Sequence, residues 1–145
     1  MARRIWRSTR DHGGGLEGRE YWYGDAALAA WIGDLQETDA LSEDARKALE
    51  SIHPWNYMSL VDARRAAVAF LKEWGILLDG EARAAGDRAR ELYGKEVEVL
   101  EALETGMRDQ KPDGSEATRR LAIEALAEAR KLETQAIAGL EKALK

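Results

Sequence analysis

Arg64, Glu96 and Glu133 are charged residues at positions where the helical pattern asks for apolar ones. Each lies near the middle of an otherwise apolar stripe on its own long helix, the face that normally packs into a core. A charge there costs several kcal/mol unless it is paired and hydrogen-bonded. One cation and two carboxylates have three possible uses. They can satisfy one another as an internal ion bridge, for which an arginine suits better than a lysine because it has five donors and stays charged. They can line a pocket with aromatic walls and hold a small polar ligand, with Arg64 pairing an anionic group. Or a buried carboxylate with a raised pKa can serve as a base, a role that a neighbouring guanidinium opposes.

Other chemistries find little support. The chain has no cysteine, which excludes a thiolate nucleophile, a disulfide framework, an iron–sulfur cluster and a cysteine zinc site. Two bundle carboxylates suggest a di-iron centre, but that needs a Glu-x-x-His on each of two helices. His12 and His53 have no such spacing. No metal site, cofactor or catalytic triad is implied. Gly13-Gly14-Gly15 lacks the lysine and hydroxyl residue of a phosphate-binding loop. His53, just before Pro54 in an expected helix–helix turn, reads as a capping or packing residue. The assignment leans away from an enzyme, and no residue is singled out as catalytic.

The elements that must position the three charges are helices, since no segment alternates as a strand does. Residues 1–23 form a basic, glycine-interrupted N-terminal arm, and 24–145 a single helical domain. The first helix runs from about Asp25 to Gln36, with Leu28, Trp31, Ile32 and Leu35 on one face. A short second helix runs from Ser42, a plausible N-cap, to His53, with a stripe of Ala45, Ala48, Leu49 and Ile52. A third starts at Pro54, where a missing N–H is no loss, and stops near Trp74 before Gly75. A fourth spans Asp79 to Met107, softened by Gly86 and Gly94. DQKPDGS (Asp109 to Ser115) is a turn, and a fifth helix follows to near the end.

At 100° per residue, Tyr57, Leu60, Val61, Ala67, Val68, Leu71 and Trp74 share the arc that holds Arg64. Ala89, Leu92, Tyr93, Val97, Val99, Leu100 and Leu103 surround Glu96. Leu121, Ala125, Ala129, Leu132, Ala136, Leu140 and Leu144 surround Glu133. Long helices with short turns give antiparallel neighbours. The expected fold is therefore all-α, a compact bundle of about five helices with an irregular arm.

A chain of 145 residues with 45% hydrophobic and 34% charged residues is one ordinary domain. A net charge of −5 argues against nucleic acid. No apolar run approaches the ~18–20 residues of a membrane span, and no signal peptide is apparent. The absence of cysteine fits a cytoplasmic location. Trp22, Trp31, Trp55 and Trp74, with Tyr21, Tyr23, Tyr57 and Tyr93, are many aromatics for a small bundle. Most should be core, the rest pocket walls or an interface. Tyr21, Trp22 and Tyr23, three aromatics in a row before the first helix, suit contact with a second copy or a partner protein.

YWYGDAALAAWIGDL, HPWNYMSLVDARRAAVAFLKEW, RARELYGKEVEVL and LAEARKLETQAIAGLEKAL occur in that order. Together they resemble the helical region of papain-like proteins related to the butirosin-biosynthesis acyltransferase and to bacteriocin-processing cysteine peptidases. The resemblance covers about residues 21–144. It matches Tyr23, Gly24 and Trp31 in the first helix, Asn56 before Arg64 and Arg65, Tyr93, and Glu133. It implies a shared helical module, alone or beside another polypeptide. It does not carry over acyl transfer or peptidase activity, because the nucleophilic cysteine and its α/β part have no counterpart here.

The leading expectation is a non-enzymatic binding or accessory domain, holding a small polar or anionic ligand near Trp31, Asn56, Tyr57, Arg64, Tyr93, Glu96 and Glu133. The alternative is a structural or interaction module in which the charges form an internal bridge. A cavity of ~300 Å³ or more touching Arg64 and Glu133 would favour the ligand, and a dry bridge would favour the interaction module.

Overall fold

The computed structural model describes residues 24–109 and 116–143. It contains α1 (Gly24–Gln36), α2 (Glu43–Trp74), α3 (Gly80–Asp109) and α4 (Glu116–Ala143), with 3₁₀ turns at Thr38–Ala40 and Gly75–Leu77. Among the described residues there is no strand, and no helix is long and apolar enough to cross a membrane. The N-terminal arm with Tyr21, Trp22 and Tyr23, most of the DQKPDGS turn, Leu144, and the side chains of Ala45, Ala48, Leu49 and Ile52 lie outside the described residues.

The fold is all-α, with four described helices rather than about five. The helices expected at Ser42–His53 and Pro54–Trp74 are one continuous helix, α2, with Pro54 inside it. A proline in a helix removes one backbone hydrogen bond. Here Pro54 is exposed on α2.

Local chemistry explains the remaining helix ends. The Thr38 hydroxyl is 3.0 Å from both the Asp34 and the Leu35 carbonyl and closes the C-terminus of α1. The Ser42 carbonyl accepts the first helical bond of α2, from the Arg46 N–H at 2.9 Å, so Ser42 is at the N-cap as its sequence context suggests. Asp79 does the same for α3 through the Arg83 N–H at 3.1 Å. Gly80 follows with φ +47°, in the left-handed region that only glycine enters cheaply.

α3 and α4 share the largest interface, α2 packs on α3, and α1 packs on α4. The pairings run antiparallel. Tyr57 and Arg64 of α2 meet Leu100 and Glu96 of α3. Asp25 and Asp39, at the two ends of the α1 segment, are held in bidentate ion pairs by Arg130 and Arg119 of α4.

The core divides into two apolar clusters. One contains Leu28, Leu35, Tyr57, Val61, Leu100, Leu103, Ala122, Leu126 and Ala129. The other contains Ala89, Leu92, Leu132 and Ala136, with Leu71, Tyr93 and Leu140 packed against it. Leu100 and Leu126 are fully buried, each stabilising the fold by roughly 1.5–3 kcal/mol through the area removed from water.

Candidate functional site

Arg64, Glu96 and Glu133 occupy the level between the two apolar clusters. On α2, Arg64 follows Val61 and precedes Leu71. On α3, Glu96 is between Leu92 and Leu100, and on α4, Glu133 is between Ala129 and Ala136. Periodicity puts the three charges on inward faces, and the antiparallel packing brings them to one height.

Arg64 Nε donates to Glu96 Oε1 at 2.7 Å. Its terminal NH2 nitrogen lies 2.7 Å from Glu133 Oε1. One guanidinium thus bridges carboxylates from two other helices. Glu96 is completely buried and Glu133 is 7% exposed, while the Arg64 side chain keeps 15% of its surface. The Tyr93 ring packs beside the cation, its centroid 5.6 Å from the guanidinium carbon, within the ~6 Å reach of a cation–π contact.

Burial pushes the Glu96 carboxyl up to about 7; Arg64 opposes the rise and the Glu133 charge adds to it. Glu133 is also raised, by burial first, with Arg64 opposing and Asp25 adding. For Arg64, burial alone would lower the pKa, but the two carboxylates outweigh that and hold the guanidinium charged. Burial raises the Tyr93 hydroxyl to about 12, so the ring stays neutral. The layer carries one cation against two carboxyl groups, and Glu96 takes up a proton near neutral pH.

Of the seven residues expected to form a ligand site, four come together: Arg64, Tyr93, Glu96 and Glu133. The other three serve elsewhere. The Tyr57 hydroxyl donates to the Leu100 carbonyl inside the first apolar cluster, and burial raises its pKa to about 12. Trp31 Nε1 donates to His53 Nδ1 at 3.0 Å, with the two rings edge to face at 5.1 Å. Asn56 is exposed on α2.

That Trp31 bond gives His53 a packing role and requires its Nδ1 to be unprotonated. Burial lowers the His53 pKa accordingly. Among the described residues, no three His, Asp or Glu side chains gather as a metal site requires.

A cleft of about 470 Å³ lies between the start of α1 and the outward face of α4. Gly24, Asp25, Arg130, Thr134, Gln135 and Ala138 are among its lining residues, and none of Arg64, Tyr93, Glu96 and Glu133 reaches it. Glu96 Oε2 and Glu133 Oε2 are buried and make no hydrogen bond among the described residues. The unused atoms of the layer are therefore carboxyl oxygens, which accept while ionised, and Glu96 Oε2 becomes a donor where that group holds its proton, while Arg64 is engaged with both carboxylates.

The inward stripes left one feature of α2 unread. Trp55 and Ile76 are 70% exposed, Leu77 69%, Phe70 57%, Met58 55% and Trp74 54%. Trp74 was expected in the core arc, but it sits at the edge of that arc in the last helical turn, where it is uncovered. Phe70 and Trp74 stack on each other with ring centroids 5.9 Å apart. Between these large residues, Ala63, Ala66 and Ala69 are also exposed. Plotting α2 at 100° per residue gives this second apolar stripe opposite the first.

No protein-family model matches the chain, and neither the curated proteins nor the solved structures include a match to it.

Proposed function

We propose that this chain is a non-enzymatic helical interaction module, working through the apolar outer face of α2. One observation carries the reading: Trp55, Met58, Phe70, Trp74, Ile76 and Leu77 are all more than half exposed along one helix and the turn after it. Contiguous apolar patches beyond roughly 300–600 Å² on a monomer mark contact sites, and tryptophan is the residue type richest in binding energy at interfaces. The three interior charges support the same reading, because Arg64 is engaged with both carboxylates inside the body that presents α2. The resemblance to the helical part of papain-like proteins fits here as well, as a module that works beside another polypeptide. A cytoplasmic setting suits such a module.

The test is site-specific photo-cross-linking of the full chain in the cells it comes from. A photoreactive residue replacing Met58 should trap a protein-sized adduct, and the same residue replacing exposed Glu98 on α3 should not. Equal yields at both positions, or none at Met58, would sink the proposal.

A second reading, a small-ligand site at the polar layer, rests on the two buried carboxylate oxygens without partners. Their chemistry reverses the expected sign: such oxygens take a hydrogen-bond donor, such as an ammonium group, and not an anion. Native mass spectrometry of the purified chain tests it through a retained small cation that Glu133→Gln removes.

A further inference from the structure

We propose that the partner of the α2 face is a second copy of this chain, paired antiparallel about a two-fold axis at Ala66. The proposal rests on the interaction-module reading and adds the identity and geometry of the partner. An isologous contact requires a surface complementary to itself, and the apolar residues of the α2 face meet that requirement; Asp62 falls opposite the partner's Phe70, with its own Arg65 3.5 Å away.

With Ala66 on the axis, Ala63 faces the partner's Ala69 and Met58 faces the partner's Trp74, while Trp55 falls beyond the end of the partner's α2, toward the turn that carries Ile76 and Leu77. Small residues occupy the middle, where two helix backbones approach most closely. Large apolar residues occupy both ends, where the helices splay. The charges on this face do not clash. Asp62 lies eight residues along the helix from its own copy, about 12 Å at 1.5 Å per residue, and Glu73 lies about 21 Å from its copy. Glu73 instead falls opposite the partner's Ser59, whose hydroxyl can donate to it.

The exposed area is also sufficient. Aromatic side chains bring roughly 150–250 Å² each to an interface. At 54–70% exposure, Trp55, Phe70 and Trp74 leave on the order of 350 Å² open. Met58, Ile76 and Leu77 are open to a similar degree and bring the face to roughly 700 Å², close to the ~800 Å² per partner of a standard stable interface. A Kd of about 1 µM or tighter is expected for such a contact.

The chain has no cysteine, so a single introduced one reports geometry without interference. Sedimentation of the full chain at about a hundred times that Kd should give a dimer. Phe70→Glu with Trp74→Glu should weaken it by roughly 100-fold or more, with helical circular dichroism unchanged because both side chains are exposed. With added oxidant, Ala66→Cys should form a covalent dimer. Met58→Cys alone should not, because its copies lie about 24 Å apart along the pair, beyond the ~7 Å Cα limit of a disulfide. A mixture of Met58→Cys and Trp74→Cys chains should cross-link to each other.

A monomer at all concentrations overturns the dimer, as does a dimer indifferent to the double glutamate variant. Cross-linking of Met58→Cys to itself overturns the antiparallel geometry. If the purified chain is monomeric but Met58 photo-cross-links to another protein in cells, the dimer fails and the interaction module stands. If both tests are negative, both fail.

Discussion

Arg64 Nε and Glu96 Oε1 meet at 2.7 Å across the α2–α3 interface, and Glu96 has no exposed surface at all. The pair sits at the level where one apolar cluster ends and the next begins, and Glu133 joins it from α4. Sliding any of these helices by one turn would place a charge against leucines and strand its partner. The layer therefore fixes register, a role buried polar groups are known to play.

The first consequence is a pH dependence of stability. The Glu96 carboxyl has an ordinary pKa of 4.5, raised to about 7 in the folded chain. The native state therefore binds the proton more tightly than the unfolded state. The stabilising contribution is fully present below about pH 4.5 and is lost as the pH rises through about 7, a change of roughly 3 kcal/mol. Glu133, Tyr93 and Arg64 face this carboxyl, and only Glu96 is replaced in the test. Urea midpoints of the wild type minus those of Glu96→Gln should fall between pH 4.5 and 7. A flat difference would contradict the burial of this carboxyl in the layer.

His53 gives the opposite slope. Its folded pKa lies below 6.5 because of burial, and only the neutral ring accepts the Trp31 N–H. Its contribution is present above about pH 6.5 and is lost as the pH falls through the lowered folded value. Trp31→Phe should remove the hydrogen bond, cost about 1 kcal/mol near neutral pH, and cost less in acid. Tryptophan fluorescence followed during acid titration checks both the position and the sign.

Two glycines of α3 should respond in opposite directions to alanine. Gly94 is inside the helix, with nothing within 4 Å of where a Cβ would stand. Gly94→Ala should stabilise the fold by about 0.5–1 kcal/mol through helix propensity. Gly80 has equally open surroundings but a φ of +47°, so Gly80→Ala should destabilise it by about 1–2 kcal/mol. Thermal unfolding of the two variants side by side decides the matter.

Part of this structure is readable from residue spacing alone. The stripes around Arg64 and Glu96 identify the buried faces of α2 and α3, because Tyr57, Val61, Ala89, Leu92, Leu100 and Leu103, all buried, belong to them. α4 is harder. It is covered by both α3 and α1, so its buried arc widens to include Ala122 and Leu126, which a single-stripe reading passes over. Pro54 reads as a helix start because proline suits a first helical turn, and no local pattern says that the helix runs through it.

The Trp31–His53 bond joins residues 22 apart in the chain, and the Arg130–Asp25 clamp joins residues 105 apart. No local pattern encodes either. The outer stripe of α2 is visible in the sequence, but spacing cannot say which of two apolar faces a neighbouring helix covers. The aromatics were therefore expected chiefly in the core, although Trp55 and Trp74 are exposed.

The internal bridge is best tested by a stability cycle on Arg64→Met, Glu96→Leu and Glu133→Leu, measured as urea unfolding free energies at neutral pH. Arg64→Met alone should cost about 3–5 kcal/mol, because it strands two buried carboxylates, and all three changes together should recover most of that loss. A nearly neutral Arg64→Met, or a triple variant no more stable than the single, would contradict a bridge inside the core.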